Sequence, residues 1–150
     1  RVLVFIDADK PAKPGVAEAF DSTLGELATW RANLTLEDEL FRSLPDTSID
    51  ALLAKAKELV GEDLMNQHIQ TRSDGRWTLA SIEAQRPASG YSSETRELLG
   101  ASSRIRGSGW FKSLTAYQDI ALNIVSSGYA SADAGFKGVV EQLWGFMRAT

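Results

Sequence analysis

Val2-Leu3-Val4-Phe5-Ile6-Asp7-Ala8-Asp9-Lys10 is the stretch on which the rest of the chain is read. Five consecutive apolar residues rich in β-formers suit a central parallel strand covered on both faces, which has no solvated side to mark with polar residues. The run stops at Asp7-Ala8-Asp9 and gives way to Pro11 through Gly15, a segment that breaks regular structure. Residues two apart in an extended chain point to the same side, so the carboxylates of Asp7 and Asp9 can converge on one hard cation. Ligands of open α/β sheets bind beyond the carboxyl ends of the strands, where this pair falls. Aspartates also occur in plain turns, bonding the local backbone. Their place directly after a buried strand favours the metal reading.

Working outward, residues 16–28 predict a helix despite Gly25, and Thr29 to Asn33 a short second strand. Thr35 predicts a helix cap followed by Glu37, Asp38 and Glu39 in the first turn, with Leu36, Leu40 and Leu44 at helical spacing until Pro45. Thr47 or Ser48 is expected to cap the next helix, whose Ile49, Leu52, Leu53, Ala56, Leu59 and Val60 form an apolar stripe ending at Gly61. A third helical stretch covers residues 62–71 or so. Ser73-Asp74-Gly75 reads as a turn, and Arg76 to Ile82 as a strand or extended segment. Residues 86–109 are the least periodic. A helix from Ser108 to Val125 is predicted to bury Phe111, Leu114, Tyr117, Ala121 and Ile124. A last one, near 133–148, is predicted to bury Phe136, Val139, Val140, Leu143 and Met147. These elements predict one α/β domain with a helical C-terminal half.

Composition bounds the function. The chain has 150 residues, 43% hydrophobic and 24% charged, with net charge −4, which argues against indiscriminate coating of nucleic acid. Acids outnumber bases through residue 100, and bases outnumber acids afterwards. That distribution fits a metal site beside a phosphate-binding surface. The absence of cysteine excludes disulfides and thiolate metal ligands. No apolar run approaches the roughly 18 residues that cross a membrane, and no secretory leader is visible. A cytoplasmic protein without a membrane partner is the expectation. The opening at Arg1, inside a strand and without methionine, predicts a fragment of a longer protein.

Further candidates lie downstream. Glu37 to Glu39 supply acids that favour a helix N-terminus on dipole grounds alone, but three in succession exceed what capping needs. Arg104, Arg106 and Lys112 bracket Gly107-Ser108-Gly109, where glycine permits close approach to a phosphate and the following helix start offers free amides. Lys112 is placed to bond a non-bridging phosphate oxygen and offset developing charge. No G-x-x-x-x-G-K-S/T occurs, so an ATP site has no support. The single histidine, His68, has no second histidine for a zinc site and reads as incidental. No G-x-S-x-G elbow is present, and the four tryptophans read as packing residues.

Three motifs in order, VLVFIDADK at 2–10, LEDELF at 36–41 and GWFKS at 109–113, give the chain a resemblance to the C-terminal nuclease region of the OLD (overcoming lysogenisation defect) family of phage and bacterial defence proteins. The Gabija nucleases are similar. The resemblance covers residues 2 to about 125 and implies a topoisomerase–primase (TOPRIM) fold, a Rossmann-like parallel sheet flanked by helices. It implies DNA cleavage or nicking with two divalent cations, Mg²⁺ or Mn²⁺. Asp7 and Asp9 match the family's D-x-D ligands, Glu37 or its neighbour Glu39 the later acidic ligand, and Lys112 the lysine that assists phosphodiester cleavage. Arg104 and Arg106 would grip DNA. The family's glutamate strand and ATPase domain would both lie upstream of Arg1. Two rivals remain at this point. A haloacid-dehalogenase-like phosphatase would use Asp7 as nucleophile, although Pro11 stands where that family carries threonine or valine. A non-catalytic TOPRIM-like interaction domain would use an amphipathic helix such as 48–60 in a homodimer as readily as in its own core.

Overall fold

The computed structural model of the protein describes residues 2–8, 15, 25–31 and 33–148. Asp9, Lys10 and Pro11, and the helix expected over 16–24, lie outside the described residues. Strand β1, Val2–Ile6, falls where its apolar run predicts, and pairs in parallel with β2, Gly25–Thr29, from Val2 opposite Gly25 to Ile6 opposite Thr29. Residues 25–28 are therefore strand, not helix, and the second strand sits four residues earlier than the sequence suggests. Glycine is required at its first position, because a Cβ on Gly25 would stand 1.8 Å from the Val2 carbonyl oxygen.

Among the described residues these two strands are the whole sheet. β1 is half-buried with Val2 exposed, instead of covered on both faces. The fold is mixed α/β and mostly helical. Ala28 of β2 and Trp30 just after it face the interior, where Trp30 meets Phe5 edge-on at 4.6 Å and stacks on Phe136 at 5.8 Å. These aromatic contacts tie the small sheet to the helices.

The first helix, α1, Leu36–Ser43, starts in a reciprocal capping box. The Thr35 hydroxyl accepts from the Asp38 amide, and the Asp38 carboxylate accepts from the Thr35 amide. α2, Asp46–Val60, begins directly after Pro45, whose carbonyl accepts from the Ser48 and Ile49 amides. Thr47 and Ser48 lie within its first turn instead of capping it. Pro45 suits that place because its φ is preset and no amide is wasted. α3, Glu62–Arg72, follows Gly61.

The segment expected to be extended is instead α4, Leu79–Glu83. Thr78 and Ser81 form a second reciprocal cap, and Leu79 and Ile82 are buried one turn apart. The aperiodic stretch holds α5, Arg86–Ser89, and α6, Ser93–Ser103. The inner face of α6 is Thr95, Leu99, Gly100, Ser102 and Ser103. Only Leu99 among them is a large apolar residue, so hydrophobic periodicity has little to detect. Gly100 allows α6 to lie against α1, since a Cβ there would come 2.8 Å from Asp38 Oδ1.

α7, Leu114–Asp119, begins at the Ser113 cap and not at Ser108. It runs into a π-helical stretch, Ile120–Val125, then the turn Ser126–Gly128 and a 3₁₀ turn, Tyr129–Ser131. The buried residues are Ala116, Ile120 and Ile124, while Leu114 is 76% exposed and Ala121 is exposed. The buried stripe therefore runs through 116, 120 and 124 and leaves Leu114 and Ala121, two of the residues predicted to be inside, facing solvent. α8, Ala134–Arg148, buries Phe136 fully and leaves Trp144 and Met147 about half exposed. The main core joins α1, α2, α3, α6 and the 110–124 segment through Leu40, Phe41, Ile49, Leu52, Met65, Leu99 and Trp110. Each such side chain contributes roughly 1.5–3 kcal/mol on burial. Among the described residues no helix is long and apolar enough to cross a membrane.

Candidate functional site

The carboxyl end of β1 is fastened to the loop that precedes α1. The Ala8 amide donates to the Leu34 carbonyl at 2.9 Å, and the Asn33 amide to the Ala8 carbonyl at 3.1 Å. Asn33 takes a left-handed φ of 68° to make this possible, a conformation that asparagine tolerates better than most residues. Asp7 Oδ1 then accepts from the Leu36 amide at 3.0 Å, engaging one of the donors that α1 leaves unpaired at its start.

Glu37 lies one residue further on. Its Oε1 accepts from the Tyr117 hydroxyl at 2.5 Å, and its Oε2 takes no hydrogen bond among the described residues. The Tyr117 ring contacts Phe111 edge-on at 6.5 Å, and Phe111 in turn packs on Phe41. Burial, the bond to Glu37, and the charges of Glu37 and Asp7 all push the Tyr117 phenol well above its ordinary value. It therefore remains a protonated donor. The bonds from the Leu36 amide to Asp7 and from the Tyr117 hydroxyl to Glu37 bring three distant parts of the sequence to the start of α1.

The alternative acidic ligand, Glu39, is turned the other way. Residues two apart on a helix do not share a face, and Glu39 is fully buried on the inner side of α1. Its carboxylate accepts from Arg31 Nε at 2.8 Å, Arg31 Nη2 at 2.6 Å, the Arg31 amide at 3.2 Å and Ser43 Oγ at 2.9 Å. Burial alone would raise the Glu39 carboxyl, but the bonds from Arg31 and Ser43 outweigh it and hold it below the usual carboxylate range. Arg31 also reaches Asp133 at 2.7 Å, ahead of α8. Glu39 is thus the anionic half of a structural ion pair, which corrects its expectation as a metal ligand. Asp9, the other half of the D-x-D pair, lies outside the described residues.

Lys112 is exposed, and its Nζ donates to the Gly107 carbonyl at 2.5 Å. No ion pair joins it to Glu37 among the described residues. Arg104 caps α6 and binds Asp38 at 3.1 Å, so part of its charge is used in holding the start of α1. Arg106 is exposed and outside any ion pair among the described residues, which leaves it the freer of the two cations for a phosphate.

His68 is not incidental. It is buried at the foot of the 104–112 loop, where its Nδ1 accepts from the Trp110 indole at 3.1 Å and its Nε2 meets Ser108 Oγ at 3.2 Å. An indole N–H only donates, so Nδ1 is the unprotonated nitrogen and Nε2 carries the proton. His68 therefore cannot accept the Ser108 proton, and the pair is an anchor instead of a nucleophile with its base. Burial lowers the imidazole pKa against the opposing pull of the Ser102 backbone. The available signal was helical spacing: Met65, His68 and Ile69 share the inner stripe of α3.

The donor set of Asp7 and Glu37 suits one hard divalent cation, which asks for one or two carboxylates and completes its shell with water and phosphate oxygens. Among the described residues no three acidic or imidazole groups gather into a fuller metal cage. No family model matches the chain, and neither the curated proteins nor the solved structures contain a match to it.

Proposed function

We propose that the protein is a metal-dependent DNA endonuclease domain of the TOPRIM type, related to the OLD family. The supporting observation is that Asp7, at the carboxyl end of a parallel strand, accepts from the Leu36 amide at the start of α1, the residue next to Glu37. When bound, Mg²⁺ or Mn²⁺ would supply an activated water and a counter-charge for the phosphodiester. Asp7 and Glu37 would hold one such ion. The second ion of two-metal hydrolysis would call on a further carboxylate, Asp9 being the nearest in sequence.

The chain's own residues have three tasks. The β1–α1 link would hold positions 7 and 37 on joined elements before substrate arrives, leaving less reorganisation for the bound state. Lys112 lies on an exposed loop, bonded among the described residues to the Gly107 carbonyl, and can exchange that bond for a phosphate oxygen. Arg106 would meet the DNA backbone, with affinity falling steeply as salt rises.

The test is nicking of supercoiled plasmid in Mg²⁺ or Mn²⁺ by the wild-type chain, Asp7→Ala and Lys112→Ala. Loss of nicking in both variants, with circular dichroism unchanged, is the expected result. Equal nicking by all three proteins would remove the site assignment.

A further inference from the structure

We infer that Tyr117 is a positioning residue for Glu37: its hydroxyl fixes the orientation of that carboxylate so that Oε2 is presented to a divalent cation. The inference rests on the reading of Asp7 and Glu37 as cation ligands. A glutamate on the first turn of a helix has three side-chain torsions, and left alone it samples many rotamers. Glu37 is half-buried, and Oε1 is committed to the Tyr117 hydroxyl at 2.5 Å, leaving Oε2 as the oxygen with no donor among the described residues.

Tyr117 is itself well placed to hold rather than follow. It stands four residues beyond the Ser113 cap of α7, and its ring rests on Phe111, which is buried against Phe41 and Trp110. Phe41 belongs to α1, the helix that carries Glu37. The hydroxyl therefore reaches Glu37 from a platform that α1 itself supports. An outer partner of this kind typically changes metal affinity roughly 10–100-fold when its hydrogen bond is removed. Tyr117→Phe removes only the oxygen and keeps the ring.

The discriminating measurement is Mn²⁺ affinity, read from loss of the free-ion electron paramagnetic resonance signal, for wild type, Asp7→Ala, Glu37→Gln, Tyr117→Phe and the Glu37→Gln/Tyr117→Phe double variant. Thermal melts run in parallel check folding. Tyr117→Phe should bind Mn²⁺ about ten-fold more weakly than wild type. It should cause no further loss in the Glu37→Gln background, because the hydroxyl acts only through that carboxylate. A purely packing role would lower the melting temperature without this coupled loss of affinity, and that result would overturn the inference. If Tyr117→Phe binds Mn²⁺ like wild type while Asp7→Ala does not, the inference fails and the reading of the site survives. If wild type and Asp7→Ala bind equally, or neither binds, the reading of the site fails and the inference goes with it.

Discussion

Replacing Arg31 by methionine isolates the ion pair that joins β2, α1 and the start of α8. The Glu39 carboxylate is fully buried and takes three of its four hydrogen bonds from Arg31, so the variant leaves only Ser43 to satisfy it. Removing one partner of a buried pair typically costs about 3–5 kcal/mol. Glu39 has an escape, which is to take up a proton. From an ordinary value of 4.5, neutralisation at pH 7 costs about 3.4 kcal/mol, at about 1.36 kcal/mol per pH unit. At pH 5 the same step costs about 0.7 kcal/mol. The expected destabilisation is therefore about 3 kcal/mol at pH 7, shrinking by about 2 kcal/mol or more at pH 5. Urea unfolding followed by tryptophan fluorescence reads this directly, since Trp30 adjoins the pair. A companion Arg31→Met/Glu39→Met protein should recover most of the loss, because it leaves no unpaired charge. A penalty below about 1 kcal/mol at pH 7, or one equal at the two pH values, would show that the pair is not held as described.

Two further outcomes follow from the same geometry. The folded-state pKa of His68 is depressed, so the unfolded chain binds more protons below the ordinary imidazole value. Its contribution is fully present above about pH 6.5 and is lost as pH falls through the folded value. Urea midpoints should drop through that window in wild type and stay flatter in His68→Leu. Equal slopes in the two proteins would remove His68 as the titrating anchor. Thr78→Ala, which dismantles the cap of α4, should cost about 1 kcal/mol in the same assay. An unchanged midpoint would mean that α4 stands without its cap.

Much of this was legible in the sequence, and the failures have identifiable causes. The run from Val2 to Ile6 gave its strand to the residue, and Thr35 with the following acids gave the start of α1. The partner strand Gly25 to Thr29 escaped because Gly-Glu-Leu-Ala-Thr alternates weakly, and its identity depends on pairing with β1. α6 escaped because small polar residues make up most of its inner face. Tyr117 was expected only in the core, since the partner of its hydroxyl is a carboxylate eighty residues away. Glu39 carried a readable signal, however. With Ser43 four residues later and Leu40 beside it, it lay on the stripe that had to face inward, and a buried carboxylate there demanded a cation. Nothing local pointed to Arg31 as that cation.

The two backbone bonds between Ala8 and the 33–34 turn have a consequence for how this region tolerates change. They tie the end of β1 to the start of α1 through main-chain atoms, so side-chain replacements that spare the left-handed Asn33 leave them in place. Replacing Glu37 would leave that scaffold intact, whereas replacing Asp7 would also change its bond to the Leu36 amide. On the function proposed above, cation preference would be adaptable by point substitution at Glu37.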